Sequence, residues 1–258
     1  MDESEKRVLV DRHSEHVLVI TINRFERRNS FDGATAQAME TVIDAYEEDP
    51  DLRVAVITGA GGVFCSGQDL IAATHGDIAE SVRRGGFGMI HHQPGKPVIA
   101  AVEGYALAGG LELCLACDLI VASRTATMGL PEAARALIAM GGGLLRLPKR
   151  IPYHLAMELA LTGEAWPATE FHRLGLVNRL VEPGEALAGA LDLAERVVAS
   201  GPLAVAASAQ VIRRAYDWPE ADAWERQRVL IDPVRGSEDT QEGLRAFAEK
   251  RKPVWKGR

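Results

Sequence analysis

The chain has 258 residues, of which 47% are hydrophobic, 25% charged and 5% aromatic, enough apolar material for a full core without the bias of disordered or fibrous chains. Its 29 Lys and Arg against 36 Asp and Glu leave a formal charge of −7, so no general positive field exists to hold a polyanion, which argues against nucleic acid as a partner. The longest apolar run, residues 136–145, is closed by Arg135 and Arg146 and is half the ~20 residues a spanning helix requires, so no membrane span is expected.

The acidic start Met1-Asp2-Glu3-Ser4-Glu5-Lys6-Arg7 lacks the apolar stretch of a secretory signal and the bias of a transit peptide, and a cytoplasmic protein is expected. Val17–Ile22 and residues 54–58 are short β-branched runs of the kind buried on both faces of a sheet. Between them, residues 35–48 set Ala38, Val42, Ala45 and Tyr46 at helical spacing. Residues 74–92, with Gly76, Gly85, Gly86 and Gly88, read as a mobile loop, and His91 and His92 as surface residues. Val98–Val102 and residues 119–122 repeat the strand theme, and the alternation predicts an α/β arrangement with crossover connections. Beyond Tyr153, residues 155–161, 187–198, 203–216 and 240–250 read as amphipathic helices, broken only by a strand over 177–181. The turn Glu182-Pro183-Gly184 sets a boundary between a body, residues 1–182, and an all-helical region, residues 183–258.

Three cysteines, Cys65, Cys114 and Cys117, are an odd number in a large, core-rich chain and do not form a disulfide framework. Cys114-Leu115-Ala116-Cys117 lacks the further ligands that zinc requires and reads as two small buried helix residues, so no metal is expected.

Chemistry concentrates at three turns. Ala108-Gly109-Gly110-Leu111-Glu112-Leu113 follows an apolar strand and opens an apolar helix, where paired glycines let backbone approach a ligand. The first helical turn also offers unpaired N–H groups and a positive dipole end, which suit a developing oxyanion. A tight turn with no ligand is the commoner use of such glycines. Glu112 adds weight, because its neighbours are apolar and a buried carboxylate takes a raised pKa suited to acid–base work; the plainer reading is an exposed stripe of the helix. Glu132, in Met128-Gly129-Leu130-Pro131-Glu132, follows a strand at an expected helix start, where a glutamate is also commonplace. Phe64-Cys65-Ser66-Gly67-Gln68-Asp69 is either an ordinary strand-to-helix loop or a source of a second N–H for the same oxyanion. Three such turns at successive strand ends point to a cleft.

Together these segments, with Asn23-Arg24-Phe25-Glu26-Arg27-Arg28-Asn29-Ser30, Pro97-Val98-Ile99-Ala100-Ala101-Val102-Glu103-Gly104-Tyr105-Ala106 and Ala246-Phe247-Ala248-Glu249-Lys250-Arg251, resemble the crotonase superfamily, the enoyl-CoA hydratase/isomerase family, from about Val17 to Trp255. The resemblance implies a spiral of repeated ββα units with a C-terminal helical region that builds homotrimers, often paired into hexamers. It implies an acyl-CoA thioester whose carbonyl oxygen accepts backbone N–H bonds from Gln68 and Gly109. Glu112 and Glu132 would hold one water and add it across the 2,3 double bond of a trans-2-enoyl-CoA, with Glu112 activating the water and Glu132 exchanging the proton at Cα. No cofactor is implied beyond the coenzyme A carried by the substrate. Arg24, Arg27 and Arg28 lie where the family meets the nucleotide of CoA. Ser66 and Gln68 would meet its adenine through backbone carbonyls, and Phe247 and Lys250 would reach CoA in a neighbouring subunit.

The chain departs from the family pattern at Ile138-Ala139-Met140-Gly141-Gly142-Gly143, where hydratases often carry a Pro-Gly step. It also departs at Glu103, where Asn or Asp is frequent, and at Gln68, which replaces a smaller residue. The alternatives are an enoyl-CoA isomerase, in which Glu132 alone shuttles a proton, and a non-catalytic acyl-CoA-binding oligomer. A dinucleotide-dependent oxidoreductase is set aside for want of a Gly-x-Gly-x-x-Gly fingerprint.

Overall fold

The computed structural model describes residues 6–258. Its main sheet has six strands in the order β1 (Val8–Arg12), β2 (Val17–Ile22), β3 (Val54–Gly59), β6 (Val98–Val102), β8 (Leu119–Ser123) and β11 (Arg179–Val181). Only β1 runs antiparallel to its neighbour; β2 to β11 form a parallel run. The expected strands are present within a residue or two, except that the last one begins at Arg179 because the Val177 N–H is taken by the Phe171 carbonyl.

Why these strands read as unbroken apolar runs is visible in their packing. Alternate residues face opposite sides, so Val54, Val56, Ile99 and Ala101 meet one layer while Ala55, Ile57, Val98, Ala100 and Val102 meet the other. The second layer on the first side is α7 (Ala186–Val198), which lays Ala186, Ala190 and Ala194 against the sheet. On the other side lie α1 (Gly33–Glu48) and α3 (Gly109–Ala116), whose residues are buried in the larger core. Helix α1 is capped by Asp32, whose carboxylate accepts the Thr35 N–H at 2.9 Å. Glu103 has its own explanation: its longer side chain crosses to accept the Gly184 and Ala186 N–H groups at 2.9 and 3.0 Å, tying down the start of α7.

A second, smaller ladder runs above the sheet. β7 (Tyr105–Leu107) pairs in parallel with β9 (Thr127–Gly129), which β10 (Ala165–Pro167) joins from the antiparallel side. Isolated parallel bridges, Phe31 to Gln68 and Cys65 to Ala106, carry the pairing back to earlier turns of the chain. Strand, upper strand, helix is therefore the repeating unit, as in β6-β7-α3, and the expected ββα spiral is the observed fold.

The segment read as a mobile loop is anchored instead. β4 (Glu80–Ser81) and β5 (Gly85–Gly86) make a hairpin whose tip Arg84 is buried against Asp44 and Glu47 of α1, while Glu40 accepts the Arg83 and Arg84 N–H groups. Phe87, Met89 and Ile90 beyond it are buried, and His91 and His92 are exposed as expected.

At the C-terminal end α8 (Pro202–Ala215), α9 (Glu220–Arg235) and α10 (Glu238–Ala248) follow α7, and neither α8 nor α9 buries a residue within the chain. The sequence carries no clear sign of α9, which has no core face to leave a periodic imprint. No described helix is long and apolar enough to cross a membrane.

Ala190 is fully buried between α7 and the sheet. Ala190→Leu is expected to cost about 1–3 kcal/mol through overpacking, seen as a lower urea midpoint at unchanged m-value. An unchanged midpoint would show that α7 does not seal this face.

Candidate active site

The Phe31–Gln68 bridge is built from the Phe31 N–H on the Gly67 carbonyl, at 2.9 Å, and the Asp69 N–H on the Phe31 carbonyl, at 2.7 Å. In a parallel bridge of this pattern the Gln68 N–H and C=O point away from Phe31. Gly67 has φ +99°, and a Cβ on it would lie 2.8 Å from the Ala108 Cβ and 3.2 Å from the Gly109 nitrogen. A Cβ on Gly110 would collide with the Cys65 carbonyl. Two glycines thus allow the turns after Cys65 and Leu107 to touch.

Ala108 takes φ 53° and ψ −127°, a conformation that glycine adopts freely and alanine does not, at a cost on the order of 1–3 kcal/mol. It is held there by its N–H on the Gly129 carbonyl at 2.9 Å and by its own carbonyl, which accepts from Leu111 and Glu112. The result is that, among the described residues, neither the Gln68 nor the Gly109 N–H has an acceptor. The Phe87 ring lies against Gly109 and stacks at 4.5 Å on Phe31, so the hairpin backs the same turn.

Arg24 is not offered to solvent. Its guanidinium is buried between Asp32 and Asp69, at 3.1 Å from each, and also donates to the Ser30 carbonyl at 2.5 Å. Asp69 in turn caps α2 (Leu70–Thr74) through the Ile71 and Ala72 N–H groups. Arg24 therefore ties the turn carrying Gln68 to the start of α1, and its two terminal nitrogens are already committed. Arg27 and Arg28 are exposed, and Ser66 donates its N–H to the Arg28 carbonyl at 3.1 Å, so these three share one rim. Phe247 is 87% exposed on α10 and Lys250 is exposed just beyond it.

The two acids sit in unlike surroundings. Glu112, in the first turn of α3, is buried, and its Oε1 accepts the Gly143 N–H at 2.9 Å. Burial raises its pKa, opposed by the N–H groups of Gly143 and Gly141 and by the charge of Arg146. Glu132 opens only a 3-10 turn, Ala133–Arg135, not the full helix expected there. Its Oε2 is buried without a hydrogen-bond partner among the described residues. Burial, with a further push from the Glu112 charge, raises it to about 7. The Glu112 charge thus reaches the Glu132 carboxyl.

The sequence reading missed what holds Glu112. The donors come from the loop before α4 (Gly143–Arg146), and Arg146 closes that loop by donating to the Gly141 carbonyl at 3.3 Å and to the Ile90 carbonyl at 2.7 Å. The only sign of it was the departure from the family pattern at residues 138–143. Cys65, Cys114 and Cys117 are buried free thiols, with burial pushing Cys65 up to about 12. Among the described residues no group of three or more His, Cys, Asp or Glu forms a metal-binding cluster.

Residues 12–258 match the family described as enoyl-CoA hydratase/isomerase. The chain is 41% identical over 263 residues to a Mycobacterium tuberculosis protein named enoyl-CoA hydratase EchA19, covering 99% of this chain and 98% of that one. It is 43% identical over 250 residues to a carnitinyl-CoA dehydratase of Salmonella typhi, covering 94% and 95%. Among solved structures, an enoyl-CoA hydratase from Mycobacterium tuberculosis H37Rv superposes with a TM-score of 0.95 at 49% identity, over 98% of this chain and all of that one.

Because the Glu132 pKa is raised from 4.5 to about 7, the fold retains a proton that the unfolded chain releases, and stability falls increasingly as pH climbs between those values. Glu132→Gln is expected to match its parent in stability below pH 4.5 and to exceed it by a margin that grows up to about pH 7 and then levels. Urea unfolding across that range checks it, and a margin independent of pH would place Glu132 in solvent.

Proposed function

The chain belongs to the enoyl-CoA hydratase/isomerase family, and we propose that within it this protein reversibly hydrates a trans-2-enoyl-CoA to the 3-hydroxyacyl-CoA, without metal or redox cofactor. The observation that carries the reading is the pair of acids in unlike environments, a buried Glu112 and a half-buried Glu132 whose Oε2 is buried, next to two N–H groups without acceptors among the described residues. Paired titratable groups whose surroundings differ are suited to separate acid and base roles.

In this reading the thioester oxygen accepts from Gln68 and Gly109. Glu112, ionised and held by Gly143, takes a proton from water as the oxygen forms its bond to Cβ. The double-bond electrons move to the thioester oxygen, where each N–H is worth about 2.7–4 kcal/mol of barrier. Glu132, protonated near neutrality, delivers the proton to Cα. Concerted delivery to one face of the alkene gives syn addition. An isomerase needs one acid to shuttle a proton, and would leave Glu112 buried without use.

The rim of Arg27, Arg28 and Ser66 is assigned to the nucleotide end of CoA, where guanidinium groups suit phosphate oxygens. Arg24 contributes through the turn it braces. Phe247 and Lys250 are assigned to the CoA of a neighbouring subunit, and residues 183–258 to building a trimer or a hexamer of paired trimers. The exposed Trp224, Val229 and Ile212 on α8 and α9, at 73, 71 and 69%, support that assembly.

Loss of the conjugated enoyl-thioester absorbance on adding enzyme, followed over short, medium, long and sterol-like acyl chains, tests the reaction and finds the preferred substrate. Glu112→Gln and Glu132→Gln are each expected to lower kcat by about 10²–10⁴-fold, and full activity in Glu112→Gln would sink the hydratase reading. The parent kcat/KM should fall on the alkaline side near pH 7 as Glu132 ionises.

Gly67→Ala would part the two turns. It is expected to lower kcat by about 10²–10³-fold with the circular dichroism spectrum intact, and unaltered kcat would remove these N–H groups from the oxyanion site.

A further inference from the structure

Arg146 is a half-buried cation on α4 without an ion-pair partner among the described residues. Its donors go to two carbonyl oxygens, of Ile90 and Gly141, and the guanidinium lies over Gly142, where a Cβ would come within 2.7 Å of it. Holding a cation away from water with only carbonyl dipoles for company is unfavourable, so its position calls for a compensating interaction.

The carboxylate within reach of its field is Glu112. The charged and titratable groups around the two are few. Glu132, from the turn after β9, lies within reach of the Glu112 charge; Arg150, beyond α4, and the Cys117 thiol, at the end of α3, lie within reach of Arg146. Of these only Arg146 favours an anion at Glu112, and it also carries the loop whose Gly143 N–H binds that anion.

We propose that Arg146 is a positioning residue: by pinning the Gly141–Gly143 loop to Ile90 it fixes the Glu112 carboxylate in place, with its positive charge favouring the anion there. The catalytic meaning rests on the hydratase reading, but the geometry does not. A lysine would retain the charge; it would not span the two carbonyls that the planar fork of arginine reaches together.

The test compares Arg146→Met and Arg146→Lys with the parent, in activity and in a ¹³C NMR titration of glutamate-labelled protein in a Glu132→Gln background, where Glu112 is the remaining member of the pair. In Arg146→Met the Glu112 midpoint is expected to rise by about one pH unit, and kcat to fall about 100-fold with little change in KM. Arg146→Lys is expected to restore the midpoint but only part of kcat. A midpoint unmoved in Arg146→Met, or full kcat in Arg146→Lys, would overturn the proposal. Should Arg146→Met fail to fold, the lysine variant carries the test, with the parent's Glu112 midpoint and a reduced kcat as the expected result. Absence of hydration by the parent would instead remove the hydratase reading and leave the titration to decide the role of Arg146.

Discussion

The site depends on the parallel pairing of short strands above the main sheet. Cys65 pairs with Ala106, and β7 with β9, so three successive passes of the chain are stacked at the spacing that backbone hydrogen bonds impose. Each pass ends in a turn at the same edge. The first presents Gln68, the second Gly109 and, three residues on, Glu112, and the third Glu132. Side chains do not have to find one another across the molecule, because the ladder delivers the turns side by side. Gly67 and Gly110 are what that closeness requires, and the conformation of Ala108 is what it costs.

Around this scaffold the polar interactions divide into two groups. Arg24 with Asp32 and Asp69 braces the turn that bears Gln68, and Arg84 with Asp44 and Glu47 pins the hairpin whose Phe87 backs Gly109. Both clusters satisfy charge with charge and are structural. The acids of the cleft are treated differently: Glu112 receives backbone donors and a distant cation, and Glu132 Oε2 receives no donor from the described residues. A buried acceptor left without a donor is costly in a folded protein, and it is found here at the point where a proton would have to be carried.

Much of this was legible in the residues. The strands could be read because they are buried on both faces and leave continuous β-branched runs, and the turns because glycine and a lone carboxylate stand out in apolar surroundings. What escaped was non-local. Arg24 looks like a free cation in a basic loop until Asp69, 45 residues on, is folded against it. Glycines at 76, 85, 86 and 88 suggest mobility, and nothing nearby in sequence announces that Arg84 is gripped by α1. The donors to Glu112 lie 31 residues beyond it. Helix α9 was invisible for a different reason, since a helix that buries nothing within its own chain need not carry an apolar stripe.

The lone Oε2 of Glu132 bears on the history of the hydrogen atoms. With one acid giving and the other taking, the pair ends each proposed hydration reversed, Glu112 carrying the proton and Glu132 the charge. Before the next cycle one hydrogen must pass between them or through solvent. The hydrogen entering at Cα is then the one Glu132 already held and not one from the water that attacks, so its isotopic origin is separate from that of the hydroxyl oxygen. A carboxyl oxygen that no protein donor restrains is free to make that exchange.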